Sequence, residues 1–142
     1  MKTDSSPVLV HTAPGYAGDI TASLAWQWVQ SGEAVLVDVR SDAEREWVGC
    51  VPGAVALAWK QWPGMAMNAS FDEELKAAMP AGKKAVLLCR SGVRSVAAAQ
   101  RATELGLEAY NILGGFEGDA DVQSQRGHLG GWRLQGLPWQ QS

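Results

Sequence analysis

Cys89-Arg-Ser-Gly-Val-Arg-Ser95 packs one thiol, two guanidinium groups, two hydroxyls and a glycine into seven consecutive residues. The apolar run Lys84 to Leu88 in front of it reads as a buried strand, and Val96 to Leu105 behind it is rich in helix formers and closes at Gly106. A cysteine between a strand end and a helix start sits where backbone N–H groups of the 90–95 turn can point back at its sulfur. Arg90 and Arg94 add positive charge, and Gly92 permits a left-handed turn that makes successive N–H groups converge. A free thiol with a pKa near 8.5 becomes mostly thiolate when lowered by about two units. Cys89 is therefore expected to be a nucleophile in a local cationic cradle. Burial as a small hydrophobe is the ordinary fate of a lone cysteine, but it gives no account of this crowding of charge and hydroxyl groups.

The elements that must carry this loop follow from spacing. Thr21 is placed to cap a helix with Leu24, Ala25, Trp28 and Val29 on one face, ending at Gly32. Ala34 to Asp38 is a continuously apolar strand up to its last residue, and Ser41-Asp-Ala-Glu44 has capping-box spacing for a short helix reaching Trp47. A strand over 54–58 follows Pro52-Gly53. A second capping box, Ser70-Phe-Asp-Glu73, opens a helix through Met79 that stops at Pro80. Residues 108–113 form the last strand. Strands alternating with helices give an α/β fold with a mostly parallel central sheet and helices on both faces. One domain is expected over 19–142, after an arm at 1–18 with a short edge strand at Val8 to Val10. Ligands of such sheets bind beyond the strand carboxyl ends, where Asp38 and Cys89 both lie.

Composition removes other classes. With 142 residues, 46% of them hydrophobic, the chain is long enough to close one core. A net charge of −3 provides no general field for nucleic acid or anionic lipid, so neither is an expected partner. Two cysteines are too few for a disulfide framework and fit a reducing compartment. No apolar run has the length of a secretory core or a membrane span, which makes the cytoplasm the expected location. His11 and His128 lie in loop-like sequence without metal-pair spacing, so surface positions and no metal site are expected.

Several segments resemble the rhodanese-like family. Cys89 to Ser95 is similar to its active-site loop, Leu36-Val-Asp-Val-Arg40 to its L-x-D-V-R segment, and Val51-Pro-Gly-Ala54 to its I-P-G-A segment. Asn111-Ile-Leu-Gly-Gly115 resembles its N-V-x-G-G strand end, and Trp132 with Gly136-Leu-Pro138 its closing W-x-x-x-G-L-P. The resemblance implies a single-domain rhodanese-like fold and a sulfurtransferase in which Cys89 carries a persulfide, with no metal or organic cofactor. It implies that Arg90, Ser91, Gly92, Val93, Arg94 and Ser95 hold a small anionic sulfur donor such as thiosulfate. It also implies that a thiol, cyanide or a protein is the acceptor, and that Asp38 and Arg40 frame the site without joining the chemistry. Two departures stand out. Cys50 replaces a histidine of the family pattern, and residues 116–131 read as an insertion that either folds over the site or lengthens an edge loop.

Two other readings stay open. Cysteine phosphatases and arsenate reductases also pair a thiolate with an arginine, but with five intervening residues where Cys89 and Arg94 leave four. A non-catalytic rhodanese-like module is the third reading, against which stands the retained Cys89 with both arginines. Cys50 is either a resolving thiol or a small residue packed beside the Pro-Gly turn. Trp59 and Trp62 flank a loop after a strand end and are candidates for an apolar lip. Trp26, Trp28 and Trp132 are expected as core anchors, Glu44 as a capping residue, and Arg45 on a solvated helix face.

Overall fold

The computed structural model describes residues 10–61, 66–126 and 128–141. The chain runs through β1 (Val10–Ala13), β2 (Tyr16–Ile20), α1 (Ala22–Gln30), β3 (Ala34–Asp38), α2 (Asp42–Trp47), β4 (Val55–Ala56), β5 (Lys60–Gln61) and β6 (Ala66–Met67). It continues through α3 (Phe71–Ala78), β7 (Lys84–Leu88), α4 (Val93–Glu104) and β8 (Ala109–Ile112). Six strands form one sheet in the order β1-β2-β8-β7-β3-β4, parallel except for the outer β1, while β5 and β6 pair separately. The fold is the mixed α/β architecture expected from the alternation of elements.

Side-chain alternation along β7 distributes the core over both faces of the sheet. Val86 and Leu88 join Leu24, Ala25, Leu36, Ile112 and Trp132 on the α1 side. Ala85, Leu87 and Cys89 join Leu75, Ala98, Ala99 and Ala102 on the side covered by α3 and α4. The three alanines of α4 let that helix approach the strands closely and set its N-terminus beside the end of β7. On the opposite face Trp132 is fully buried, meets Trp26 edge-on at 5.8 Å and donates its ring N–H to Pro138 O at 2.8 Å. Trp28 meets Tyr110 at 4.9 Å, so all three tryptophans are the anchors expected of them.

The Thr21 cap forms, with Leu24 N–H donating to its hydroxyl at 3.1 Å, and both halves of the Ser41–Glu44 capping box are present. Other expectations need correction. Residues 10–18, expected within an irregular arm at 1–18, join Asp19 and Ile20 in a hairpin whose Pro14-Gly15 turn has Gly15 at φ +84°, the left-handed position that glycine tolerates. Val8 and Leu9 lie outside the described residues. Ser70 makes no side-chain cap; Asn68 instead accepts the Ser70 N–H at 3.0 Å and shapes the entry to α3. The strand over 54–58 shrinks to Val55–Ala56, and α4 begins at Val93 rather than at Val96.

Candidate active site

β3 and β7 are parallel neighbours with Asp38 opposite Leu88, so Asp38 and Cys89 emerge at the same edge. Val39 N–H donates to Leu88 O at 2.8 Å and extends the pairing one residue further. Cys89 is fully buried. Gly92 adopts φ +110° as the N-cap of α4, the left-handed conformation expected of it, and its N–H donates to Cys89 Sγ at 3.1 Å. The sulfur also lies 3.2 Å from Ser95 Oγ. Because α4 starts at Val93, Arg94 and Ser95 belong to its first turn, and the true loop is only Arg90 to Gly92. Among the described residues, Gly92 is the one N–H donor to the sulfur, where a converging ring from the 90–95 turn was expected.

A second strand end buttresses the loop from behind. Phe116 N–H donates to Cys89 O at 2.8 Å, and Glu117 N–H to Arg90 O at 2.9 Å. Gly115 turns the chain at φ +57°, where a Cβ would stand 2.4 Å from Cys89 O and 2.6 Å from the carbonyl carbon of Arg90. No other residue fits there without moving the nucleophile. The Gly114-Gly115 pair was legible as a turn, but its service to the Cys89 loop was not.

Asp38 and Arg40 are both fully buried and bonded to each other. Arg40 Nε and Nη2 donate to the two carboxylate oxygens at 3.0 and 2.7 Å, and Nη2 also reaches Gly49 O at 2.8 Å. The guanidinium lies 4.2 Å from the Phe116 ring centroid, and among the described residues its Nη1 has no hydrogen-bond partner. Such a buried pair holds the ends of β3, the 49–51 segment and Phe116 in one unit.

Arg94 differs from its expected role as a cation open to an anion. Its Nη1 and Nη2 donate to Glu44 Oε1 and Oε2 at 2.6 and 2.7 Å. Burial opposes ionisation of Glu44, but the hydrogen bonds and charge of Arg94 and the donors of Ser41 outweigh it and hold the carboxyl at about 2. Hydrogen bonding to Glu44 raises Arg94 in turn, against its desolvation, with smaller contributions from the charges of Glu44, Cys89 and Asp38. Glu44 is thus both cap and counter-ion. Arg45, expected in solvent, folds back to donate to Arg40 O at 2.5 Å, and its side chain is 13% exposed. Arg90 is exposed, and among the described residues no carboxylate lies within ion-pair distance of it.

A groove of about 500 Å³ opens outside the loop. Its apolar wall is Ala43, Trp47 and Val48 of α2 and the residue after it, with Trp47 74% exposed. Arg90, Arg94, Glu44 and Glu117 supply its charged groups. The expected lip is not built as proposed, because Trp59 turns inward onto Phe71 at 4.8 Å, and Trp62 lies outside the described residues. Val93 is exposed and Ser91 half-buried, and neither lines the groove. Cys50 pairs through its backbone with Gln140 and lines a separate depression with Pro52 and Ala54.

Residues 116–131 are tied at their base. Gly118 N–H donates to Gly114 O, Trp132 N–H to Gly115 O, and Arg126 Nη1 to Gly118 O, each at 2.8 Å. Asp121 Oδ1 accepts the N–H groups of Gln123 and Gln125, while Oδ2 lies 2.7 Å from the exposed His128 Nδ1. Of the segment's described residues, Glu117 alone lines the groove. His11 is exposed on β1, and among the described residues no group of three potential ligands is placed to hold a metal.

The chain matches the rhodanese-like domain family over residues 21–121. The crystal structure of Rv0390 from M. tuberculosis is 43% identical, with a TM-score of 0.82, covering 89% of this chain and 99% of that one. The thiosulfate sulfurtransferase GlpE of Actinobacillus succinogenes is 30% identical over 121 residues, 84% of this chain and 87% of its own length. A Rhodopseudomonas palustris structure described as a possible tyrosine phosphatase is 28% identical at a TM-score of 0.56, covering 86% of this chain and 83% of that one. Among the described residues no helix is long and apolar enough to cross a membrane. With the family match spanning most of its length, the chain belongs to the rhodanese-like domain family.

Proposed function

We propose that the protein is a sulfurtransferase that carries sulfane sulfur on Cys89. The observation behind this reading is the seat of the sulfur at the end of a core strand, taking the Gly92 N–H at the start of α4, next to a groove that holds Arg90. In the first half-reaction the Cys89 thiolate attacks the outer sulfur of thiosulfate. The new Sγ–S bond forms as the S–S bond of the donor breaks, and sulfite leaves with the bonding pair. The enzyme then holds Cys89–S–S⁻, and an acceptor thiolate, a protein thiol or cyanide attacks the terminal sulfur and returns Cys89 to its starting state. No metal or organic cofactor enters either step.

The two arginines divide the work. Arg94 is occupied by Glu44 and holds the start of α4 against α2, whereas Arg90 is the cation open to an incoming anion. Cys89 is 0% exposed, so a donor reaches the sulfur only when the short loop outside it opens locally. A phosphatase reading fits less well, because the arginine that would clamp a phosphoryl group is already bonded at both ends by Glu44. The test is thiocyanate formation from thiosulfate and cyanide by the purified protein, abolished in Cys89→Ser. Ready hydrolysis of aryl phosphates without any sulfur transfer would replace this reading with the phosphatase one.

A further inference from the structure

Ser95 has one hydroxyl proton and two neighbours that compete for it. Its Oγ lies 2.5 Å from Asn111 Oδ1 and 3.2 Å from Cys89 Sγ. Asn111, 3% exposed on β8, stands in register with Asp19 of β2, and its Nδ2 donates to Asp19 Oδ1 at 2.9 Å. Tyr16 O–H donates to the same oxygen at 2.7 Å. Burial and its bonding to Asp19 push the Tyr16 hydroxyl up to about 12, so it keeps its proton and donates to Asp19. Asp19 Oδ1 takes both of these donors, so the Asn111 amide turns its NH₂ to Asp19 and its carbonyl oxygen to Ser95. A carbonyl only accepts. The Ser95 proton therefore points at Asn111, and a Ser95 lone pair faces the sulfur.

We propose that Asp19, acting through Asn111, fixes the polarity of the Ser95 hydroxyl so that Ser95 accepts a hydrogen bond from the Cys89 thiol in the resting site. Ionising the sulfur then requires the hydroxyl to rotate from Asn111 to Cys89, leaving Asn111 Oδ1 buried without a donor. Asp19 and Asn111 are positioning residues that restrain the thiolate, in opposition to the Gly92 N–H that favours it. The inference rests on Cys89 being the nucleophile of the sulfurtransferase reading. The other charged groups around the sulfur are Arg94 with Glu44 of α2, Asp38 with Arg40 at the end of β3, and Arg90 with Glu117 at the groove. The variants that test the proposal leave all of them unaltered.

The thiolate is followed by its ultraviolet absorbance against pH in a Cys50→Ala background, where Cys89 is the remaining thiol. This readout needs no sulfur transfer, so its outcome is independent of whether thiosulfate is a substrate. Asp19→Leu frees the Asn111 amide to reverse and release the Ser95 proton to the sulfur, and the titration midpoint is expected to fall by about one pH unit. Asp19→Asn removes the charge but keeps an acceptor for Asn111, and is expected to stay close to the unaltered chain. Combined with Ser95→Ala, Asp19→Leu is expected to give no shift of its own. Asn111→Ala provides a second way of freeing Ser95 if Asp19→Leu does not fold, with the same downward shift. No shift or an upward one in the folded variants, or a downward shift that survives removal of the Ser95 hydroxyl, overturns the proposal.

Discussion

Arg94 and Glu44, fifty residues apart, meet through both guanidinium nitrogens and both carboxylate oxygens, with side chains only 17% and 20% exposed. This pair fastens α4, which carries the environment of Cys89, to α2, which carries the apolar wall of the groove. Glu44 also accepts from Ser41 N–H and Oγ–H at 3.1 and 3.0 Å, so one carboxylate closes α2 and anchors α4.

The pair makes stability depend on acid. Glu44 is depressed from 4.5 to about 2 in the folded chain, so its contribution is complete above pH 4.5 and is lost as pH falls towards 2. With allowance for partial exposure, the contribution is about 2 kcal/mol. Thermal unfolding of Glu44→Gln against the unaltered chain is expected to show this gap at pH 7 and a closing gap between pH 4.5 and pH 2. A gap that stays constant across that window would contradict the assigned role.

Gly115→Ala is expected to be far more damaging than Gly82→Ala. Both glycines have positive φ, at +57° and +78°, so both substitutions incur backbone strain of about 1–2 kcal/mol. Only at Gly115 does the new methyl strike backbone, at Cys89 O, whereas nothing lies within 4 Å at Gly82. The additional cost is about 1–3 kcal/mol, accompanied by loss of sulfur transfer because Cys89 must shift. Denaturant melts and thiocyanate assays of the two variants check this, and equal losses would disprove the buttress.

Exposure orders the thiols. Cys50 is half-buried and Cys89 fully buried, so a bulky aromatic disulfide reagent is expected to modify Cys50 first, with Cys89 following at the rate of local opening. Peptide mapping after timed quenching gives the order. Reaction of Cys89 ahead of Cys50 would show that the loop stands open in solution.

Arg90→Ala is expected to lower kcat/KM for thiosulfate about tenfold or more while leaving the melting temperature nearly unchanged, since Arg90 is exposed and among the described residues no carboxylate lies within ion-pair distance of it. Arg94→Ala is expected to lower both, because it strands the Glu44 carboxylate as well. Steady-state kinetics paired with thermal melts separates the two arginines, and equal melting losses would remove the distinction.

Local rules made most of the frame readable. The Thr21 cap, the Ser41–Glu44 box and the apolar strands around Asp38 and Cys89 are all determined by near neighbours in the chain. Tertiary pairing decided the rest. Residues 16–20, with Gly18 and Asp19 interrupting a short apolar pattern, do not read as a strand, yet they pair with β8 and bring Asp19 beside Asn111. The contact of Arg94 with Glu44 is set by where the sheet places the first turn of α4 relative to α2, and residue spacing along the chain carries no trace of it. Trp47 likewise reads as the end of a short helix, and only the neighbouring strand ends make it the wall of a groove.

The central claim is that Cys89 accepts sulfane sulfur, and the most direct measurement is the intact mass and peptide map of the protein after brief exposure to thiosulfate, followed by cyanide. One added sulfur atom, about 32 Da, is expected on the peptide bearing Cys89, removed by cyanide with an equal yield of thiocyanate and absent in Cys89→Ser. A chain that stays unmodified, or that takes the sulfur on Cys50 while Cys89→Ser turns over normally, would contradict it.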